Sequence, residues 1–411
     1  MTPRPLPSPG ARRAAEPTDR PSALGGYEDW PAWQRDRPTL DGDDVSRAVG
    51  GALGVPVPDA GALPGAGAGA ATVPAVRTLD RWETDGVAVE HVEWWVGFGP
   101  ATRAWVLRPA APAAHRLPGV LLLHCHAGVK SIGAERMVPT PAPTAVARRL
   151  RRDLYEGRAL AHEIARAGFV VLAHDTFGWG SRRFHLDPLP LSLREPVRHA
   201  QAAWAADGLD PDADERYDAA AGLHEHVVAK TAGTLGTSFA GMVAHDDLVA
   251  TAVLRSLPDV DPTGTAAVGF SGGGGRAATL ASLVPDLRAA GVVGMMTTTD
   301  ALLPAYADAH SWLLTTPGLL GRRGLPEIAA ARRTHHLLAL SFRDDALFPP
   351  HGVDAAHQEL GARFGQPATT GSLEGVVHPG GHVFSASAQA LVVDWLQRRL
   401  GSGGALPAVA G

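Results

Sequence analysis

Five apolar runs constrain this chain more than any other feature: GVLLLHC (119–125), FVVLAHD (169–175), TAAVGF (265–270), AGVVGMM (290–296) and HLLALSF (336–342). A strand that is apolar along its whole length has both faces covered, the condition of the inner strands of a mostly parallel sheet. Segments of helical period separate the runs, among them ALAHEIARAG (159–168), FAGMVAHDDLVATAVLRSL (239–257) and a stretch starting at about 273. A helix over 351–363, a short strand over 372–377 and a last helix over 384–399 continue the series. Ahead of it, VAVEHVEWWV (87–96) and TRAWVLRPA (102–110) flank the turn GFGPA and read as a hairpin. This order predicts an α/β fold: a mostly parallel central sheet flanked by helices.

The main body is expected over 81–400. Residues 1–80 read as an N-terminal extension, partly disordered: 1–26 lack any apolar period, 27–55 suit a short helical arm with Tyr27, Trp30 and Trp33, and 56–74 are a Gly/Ala/Pro linker. The tail 401–411 also reads as disordered. Two segments, about 176–236 and 297–334, interrupt the alternation and are expected as cap-like insertions near the C-terminal ends of the strands. With 37 basic against 42 acidic residues, nothing argues for nucleic acid or an anionic membrane as partner. No run approaches the ~18 apolar residues of a membrane span. Cys125 is the only cysteine, which excludes an internal disulfide and a Cys-based zinc site. Residues 1–26 have no apolar core like that of a signal peptide, so the cytoplasm is the expected compartment. The Trp-bearing arm leaves a homo-oligomer open.

Gly269-Phe270-Ser271-Gly272-Gly273 matches G-x-S-x-G between the strand TAAVGF and an Ala/Leu-rich helical run. That setting is what a nucleophile elbow needs: a serine on a tight strand–helix turn, with glycines where side chains would clash. Ser271 is the expected nucleophile. A similar Gly236-Thr237-Ser238-Phe239-Ala240 has no buried strand before it, so Ser238 is set aside. A serine hydroxyl needs a base. Asp345, in the turn after HLLALSF, is the expected acid and is preferred to Asp344. His382, after the Gly380-Gly381 pair, is the expected base in preference to His378, which Pro379 restricts. Oxyanion donors are expected from the backbones of Gly272 and His126, with Ala127 as the neighbour that would replace His126.

LLLHCHAGVKSIGAERM, AHDTFGWGSRRF, HDDLVATAVLRSLPDVDPTGTAAVGFSGGGG and FRDDALFPPHG together resemble the acetylxylan esterase and dienelactone hydrolase-like branch of the α/β-hydrolases, over about 87–400. The resemblance implies an α/β-hydrolase fold and hydrolysis of a small-molecule ester through an acyl-serine, with no metal or other cofactor. One departure is Ala127, where relatives commonly carry Gly. Another is the serine nucleophile where true dienelactone hydrolases have Cys, which favours an ordinary esterase. Two other readings stay in play: an acyltransferase or tailoring enzyme of secondary metabolism on the same residues, and a non-catalytic binding protein on the same scaffold. The complete Ser, Asp and His set argues against the second.

Other residues are weighed and mostly set aside. Trp179, in the loop after FVVLAHD, is expected either on the substrate pocket or packed beneath the adjoining segment. Arg182 and Arg183 suit either a substrate carboxylate or, as expected here, ordinary surface pairing. Met295, Met296 and Thr297–Thr299 end a core strand and face either the pocket or the core. His224-Glu225-His226, with His245 beyond, lacks the ligand spacing of a helical metal site. Cys125 is expected to pack as a small hydrophobe.

Overall fold

The computed structural model describes residues 45–55 and 73–401, except Pro304 and Arg322. The described residues open with helix α1 (Val45–Leu53), followed by strands β1 (Arg77–Thr84), β2 (Val87–Trp94), β3 (Thr102–Pro109) and β4 (Leu117–Leu123). Helices α2 (Ala145–Tyr155) and α3 (Leu160–Arg166) precede β5 (Val170–His174). Three helices come next: α4 (Leu191–Ala206), α5 (Ala213–Thr234) and α6 (Phe239–Ser256). The pattern then runs β6 (Val260–Phe270), α7 (Gly272–Leu283), β7 (Ala289–Val293), α8 (Thr299–Leu302), α9 (Leu325–Ala329) and β8 (His336–Phe342). It closes with α10 (Pro350–Phe364), β9 (Ser372–His378) and α11 (Ala386–Leu400).

Among the described residues, nine strands form one sheet in the order β1-β2-β3-β5-β4-β6-β7-β8-β9. The expected hairpin is β2 and β3, which pair antiparallel, and from β5 through β9 every neighbouring pair is parallel. Burial follows position in the sheet: the inner parallel strands are largely covered, while β9, parallel but at the edge, has no buried residue. Every residue of β5 and β7 is buried, whereas β2 alternates and β1 forms an exposed edge. Successive residues of a strand supply opposite faces: Leu121 and Leu123 join one core with α1, α6, α7, α9 and α10, while Val120 and Leu122 join the other with α3 and α11.

Three places differ from expectation. Strand β1 and helix α2 were not apparent in the pattern. The long polar segment after β5 is largely helical, with α5 running 22 residues behind an Asp212/Glu215 capping box. Of the expected N-terminal arm, α1 packs Val49 and Leu53 into the core; Tyr27, Trp30 and Trp33 lie outside the described residues, as do the linker over 56–72 and the tail after 401. Among the described residues, no helix is long and apolar enough to cross a membrane.

Candidate active site

The turn between β6 and α7 holds Ser271 at φ 57° and ψ −124°, a backbone state that L-residues rarely occupy. Its N–H donates to Val293 O at 2.8 Å, and its carbonyl accepts from Gly274 N at 2.7 Å. The glycines are required by contact. A Cβ on Gly269 would sit 2.2 Å from the Gly273 carbonyl, and one on Gly273 would sit 2.1 Å from Leu123 O. The strand–turn–helix therefore closes only with glycine at both places.

Two late loops meet this serine. After β8, Asp345 is buried with both oxygens engaged: Oδ1 accepts from Leu347 N at 2.9 Å and Oδ2 lies 2.6 Å from His382 Nδ1. His382 Nε2 lies 2.8 Å from Ser271 Oγ. A carboxylate on Nδ1 keeps the proton there and leaves Nε2 as the acceptor for the serine proton. The loops are stapled by Arg343 N to His378 O at 2.9 Å and Asp344 N to Gly380 O at 3.0 Å. Asp344 itself faces solvent. His378 turns away, with Nδ1 on Pro379 O at 2.7 Å and Nε2 against Ser387 Oγ at 3.1 Å. Ser238 caps α6 by accepting from Gly241 N at 2.9 Å.

The turn after β4 lies beside the serine. Cys125 O accepts from Arg136 Nη1 at 3.0 Å and from the His124 ring at 3.0 Å. In a trans peptide the N–H points opposite to the carbonyl, so the His126 N–H is turned away from Arg136. A Cβ built on Gly272 would lie 3.2 Å from His126 N, so the two backbones adjoin. Among the described residues, neither N–H has a protein acceptor. Ala127 follows at φ 55° and Gly128 at φ 67°.

Ser271, His382, Gly272, His126 and Ala127 line one cavity of about 470 Å³, together with apolar side chains including Met295 and Leu313. Trp179 is not on its wall. It is fully buried against Phe239 and Val243, with the Lys130 ammonium 3.3 Å from its ring centroid and the His126 ring edge-on at 5.2 Å. Packing under the neighbouring segment is the outcome for this residue. Arg182 is also internal, paired with Asp246 at 3.0 Å and donating to Phe98 O and Pro100 O, which corrects the expectation of a surface pair. Arg183 is half-exposed above Tyr217. Met295 reaches the cavity, while Met296 and Thr297 are buried away from it. Cys125 is buried with Tyr155 Oη 3.2 Å from its sulfur.

Sequence reasoning missed Glu225. In the sequence it stands only as the middle of a His-Glu-His string, yet it points from α5 to the cavity wall. Its Oε1 takes the His126 Nε2 at 2.8 Å and the Lys130 ammonium at 2.7 Å. Burial alone would raise its carboxyl; the His126 hydrogen bond and the Lys130 charge outweigh that and hold it at about 2. Burial lowers the Lys130 ammonium to about 8 against the pull of Glu225. Burial likewise lowers His126, and the hydrogen bond to Glu225 only partly offsets it. The flanking histidines diverge: His224 packs on Phe184, His226 accepts from Trp312 Nε1 at 3.0 Å, and His245 bonds Val96 O at 2.9 Å.

A scan against protein-family models finds no match, and a search of curated proteins finds none either. Solved structures do match. A protein of Bacteroides fragilis NCTC 9343 assigned as an acetyl xylan esterase superposes at TM-score 0.56 and 14% identity, covering 86% of each chain. Acetyl xylan esterase 1 from Thermoanaerobacterium sp. JW/SL YS485 gives 0.50 and 14%, covering 87% of this chain and 93% of that one. A glucuronoyl esterase from Solibacter usitatus gives 0.51 and 12%, covering 79% and 86%. Sheet order, elbow and these superpositions agree on the architecture: this chain has the α/β-hydrolase fold.

Proposed function

We propose that this chain is a serine esterase acting on an uncharged small-molecule ester. The observation that carries the reading is the continuous hydrogen-bonded line from Asp345 through His382 to Ser271 on a cavity wall. Ser271 Oγ attacks the ester carbonyl while His382 Nε2 takes its proton, and Asp345 stabilises the imidazolium. The carbonyl oxygen becomes an oxyanion held by the N–H groups of Gly272 and His126. His382 returns the proton to the leaving alkoxide, and the alcohol departs. Water then repeats the sequence on the acyl-serine and releases the acid. A neutral substrate is favoured because Glu225, a carboxylate on the cavity wall, is matched by Lys130 at 2.7 Å. The esterase names of the superposed structures support an ester over other acyl bonds.

The test is fluorophosphonate labelling followed by peptide mapping, with hydrolysis of p-nitrophenyl esters measured on the same samples. One adduct on Ser271 is expected, and Ser271→Ala should lower kcat by about 10⁴- to 10⁶-fold. Undiminished hydrolysis in Ser271→Ala would overturn the assignment.

A further inference from the structure

Helix α5 holds the loop that follows β4 with two carboxylates seven residues apart, on one face of the helix. Asp218 Oδ1 accepts from Lys130 N at 2.7 Å and Ser131 N at 2.6 Å, and its Oδ2 accepts from Ser131 Oγ at 3.0 Å. Two turns further on, Glu225 takes the His126 ring and the Lys130 ammonium. The His126 ring is a bridge. Its Nδ1 accepts from Gly128 N at 2.9 Å, so its proton sits on Nε2 and donates to Glu225 at 2.8 Å. The ring thus ties the helix to a turn whose next two residues are both left-handed, one of them the non-glycine Ala127. Arg136 holds the far side of the same loop through the carbonyls of Cys125, Val129, Ile132 and Gly133, at 2.6 to 3.0 Å.

We infer that Glu225 is a positioning residue for the oxyanion turn: acting through the His126 ring, it aims the His126 N–H at the oxygen of the tetrahedral intermediate. The inference rests on the esterase reading above. It gives the segment between β5 and α6 a part in the chemistry, since α5 supplies the side-chain anchors opposite Arg136: Asp218 on the N–H groups of Lys130 and Ser131, and Glu225 on the His126 ring. The strain at Ala127 is what makes a second anchor necessary, because an unrestrained alanine leaves the left-handed region. The effect belongs to the transition state. A ground-state ester carbonyl needs little from the N–H, whereas the oxyanion needs it within about 3 Å.

The experiment compares wild type, Glu225→Ala, Glu225→Gln and His126→Asn with a p-nitrophenyl ester, normalising rates to sites titrated by fluorophosphonate. Affinity for a trifluoromethyl ketone, which forms a tetrahedral adduct with the serine, is measured in parallel. Glu225→Ala is expected to lower kcat per titrated site by about 10- to 100-fold with KM within about threefold, and to weaken the ketone by the same factor. Glu225→Gln keeps an oxygen for the His126 Nε2–H and should recover most of the loss. His126→Asn keeps an acceptor for Gly128 N but does not reach α5. It should reproduce the alanine phenotype, and it decides the matter if Glu225→Ala does not fold. Wild-type kcat per titrated site in both Glu225→Ala and His126→Asn would overturn the inference, as would an unchanged ketone affinity. Failure of the esterase reading shows separately, as a wild type without Ser271-dependent turnover, and would remove this inference with it.

Discussion

Two histidines of the same cavity wall, each paired with a carboxylate, do different things. His382 meets Asp345 at 2.6 Å and His126 meets Glu225 at 2.8 Å. In each, the acid fixes the imidazole tautomer. What separates them is the second nitrogen. His382 bonds its acid through Nδ1 and turns Nε2 to Ser271 Oγ at 2.8 Å. His126 bonds its acid through Nε2, and its Nδ1 is already taken by Gly128 N at 2.9 Å. The first ring has a nitrogen free to carry a proton to and from a reacting atom. The second has both nitrogens committed to the fold and can only hold a shape. A histidine beside a carboxylate in a cavity is therefore not enough to name a base; the partner of the other nitrogen decides.

The sharpest way to break this comparison is to spoil the tautomer on the proton-carrying side. In Asp345→Asn the amide can donate to His382 Nδ1, which moves the ring proton to Nε2 and leaves no acceptor for the serine. A loss in kcat of about 10⁴-fold is expected at neutral pH. The adjacent, solvent-facing Asp344→Asn should stay within about threefold, as surface changes do. Steady-state kinetics on the two variants suffice. Equal losses, or more than a tenth of wild-type kcat in Asp345→Asn, would mean that the acid has been misplaced.

A smaller effect sharpens the other side. The Glu225 carboxyl is held at about 2, below its ordinary 4.5. Between these values the unfolded chain binds a proton that the folded chain does not, so stability rises with pH across that window. The contribution is complete above about pH 4.5 and is lost as pH falls toward 2, worth at most about 3 kcal/mol. Lys130, lowered only to about 8, stays charged throughout this range and adds no slope of its own. Urea unfolding of wild type and Glu225→Gln at pH 3, 4 and 5 should therefore give a shallower acid loss in the variant. Parallel curves would show that the carboxylate is not tied to His126 and Lys130 as described.

The two pairs also differ in how much of them the sequence reveals. Ser271, Asp345 and His382 stand just after buried apolar strands or beside a glycine pair, so local pattern marks each position, and the chain order of the three is itself a constraint. Glu225 has no such marker. It lies within a 22-residue helix whose buried positions include Asp218 and Glu225, so the helix shows little apolar period. Helix α5 is hard to read for the same reason: its inner face mixes Ala220, Ala221 and Ala232 with the buried carboxylates of Asp218 and Glu225, so no clean apolar stripe forms. Trp179 and Arg182 illustrate the converse. Both stand in a loop after a core strand, where contact with substrate is a fair expectation, but Lys130 and Asp246 meet them inside the protein. Partners some fifty residues or more away in sequence leave no trace in a local pattern. Strand β1 was missed because an exposed edge strand has no apolar face to advertise.

The smallest expected effect bears on why the second pair exists. Ala127 holds φ 55° in a turn where glycine would do so without strain. Ala127→Gly removes the methyl that resists this conformation but loosens the unfolded chain, so the net gain in stability should be about 0.5 to 1 kcal/mol. In the wild-type background kcat should change by no more than about twofold, because His126 and Glu225 already hold the turn. In Glu225→Ala the same substitution should restore part of the lost kcat, since glycine occupies the left-handed state without the bridge. The comparison needs four proteins, one substrate and a urea titration. If Ala127→Gly instead lowers kcat equally in both backgrounds, the methyl acts on the substrate directly from the cavity wall, where Ala127 stands. The bridge would then serve to bind α5 rather than to restrain the turn.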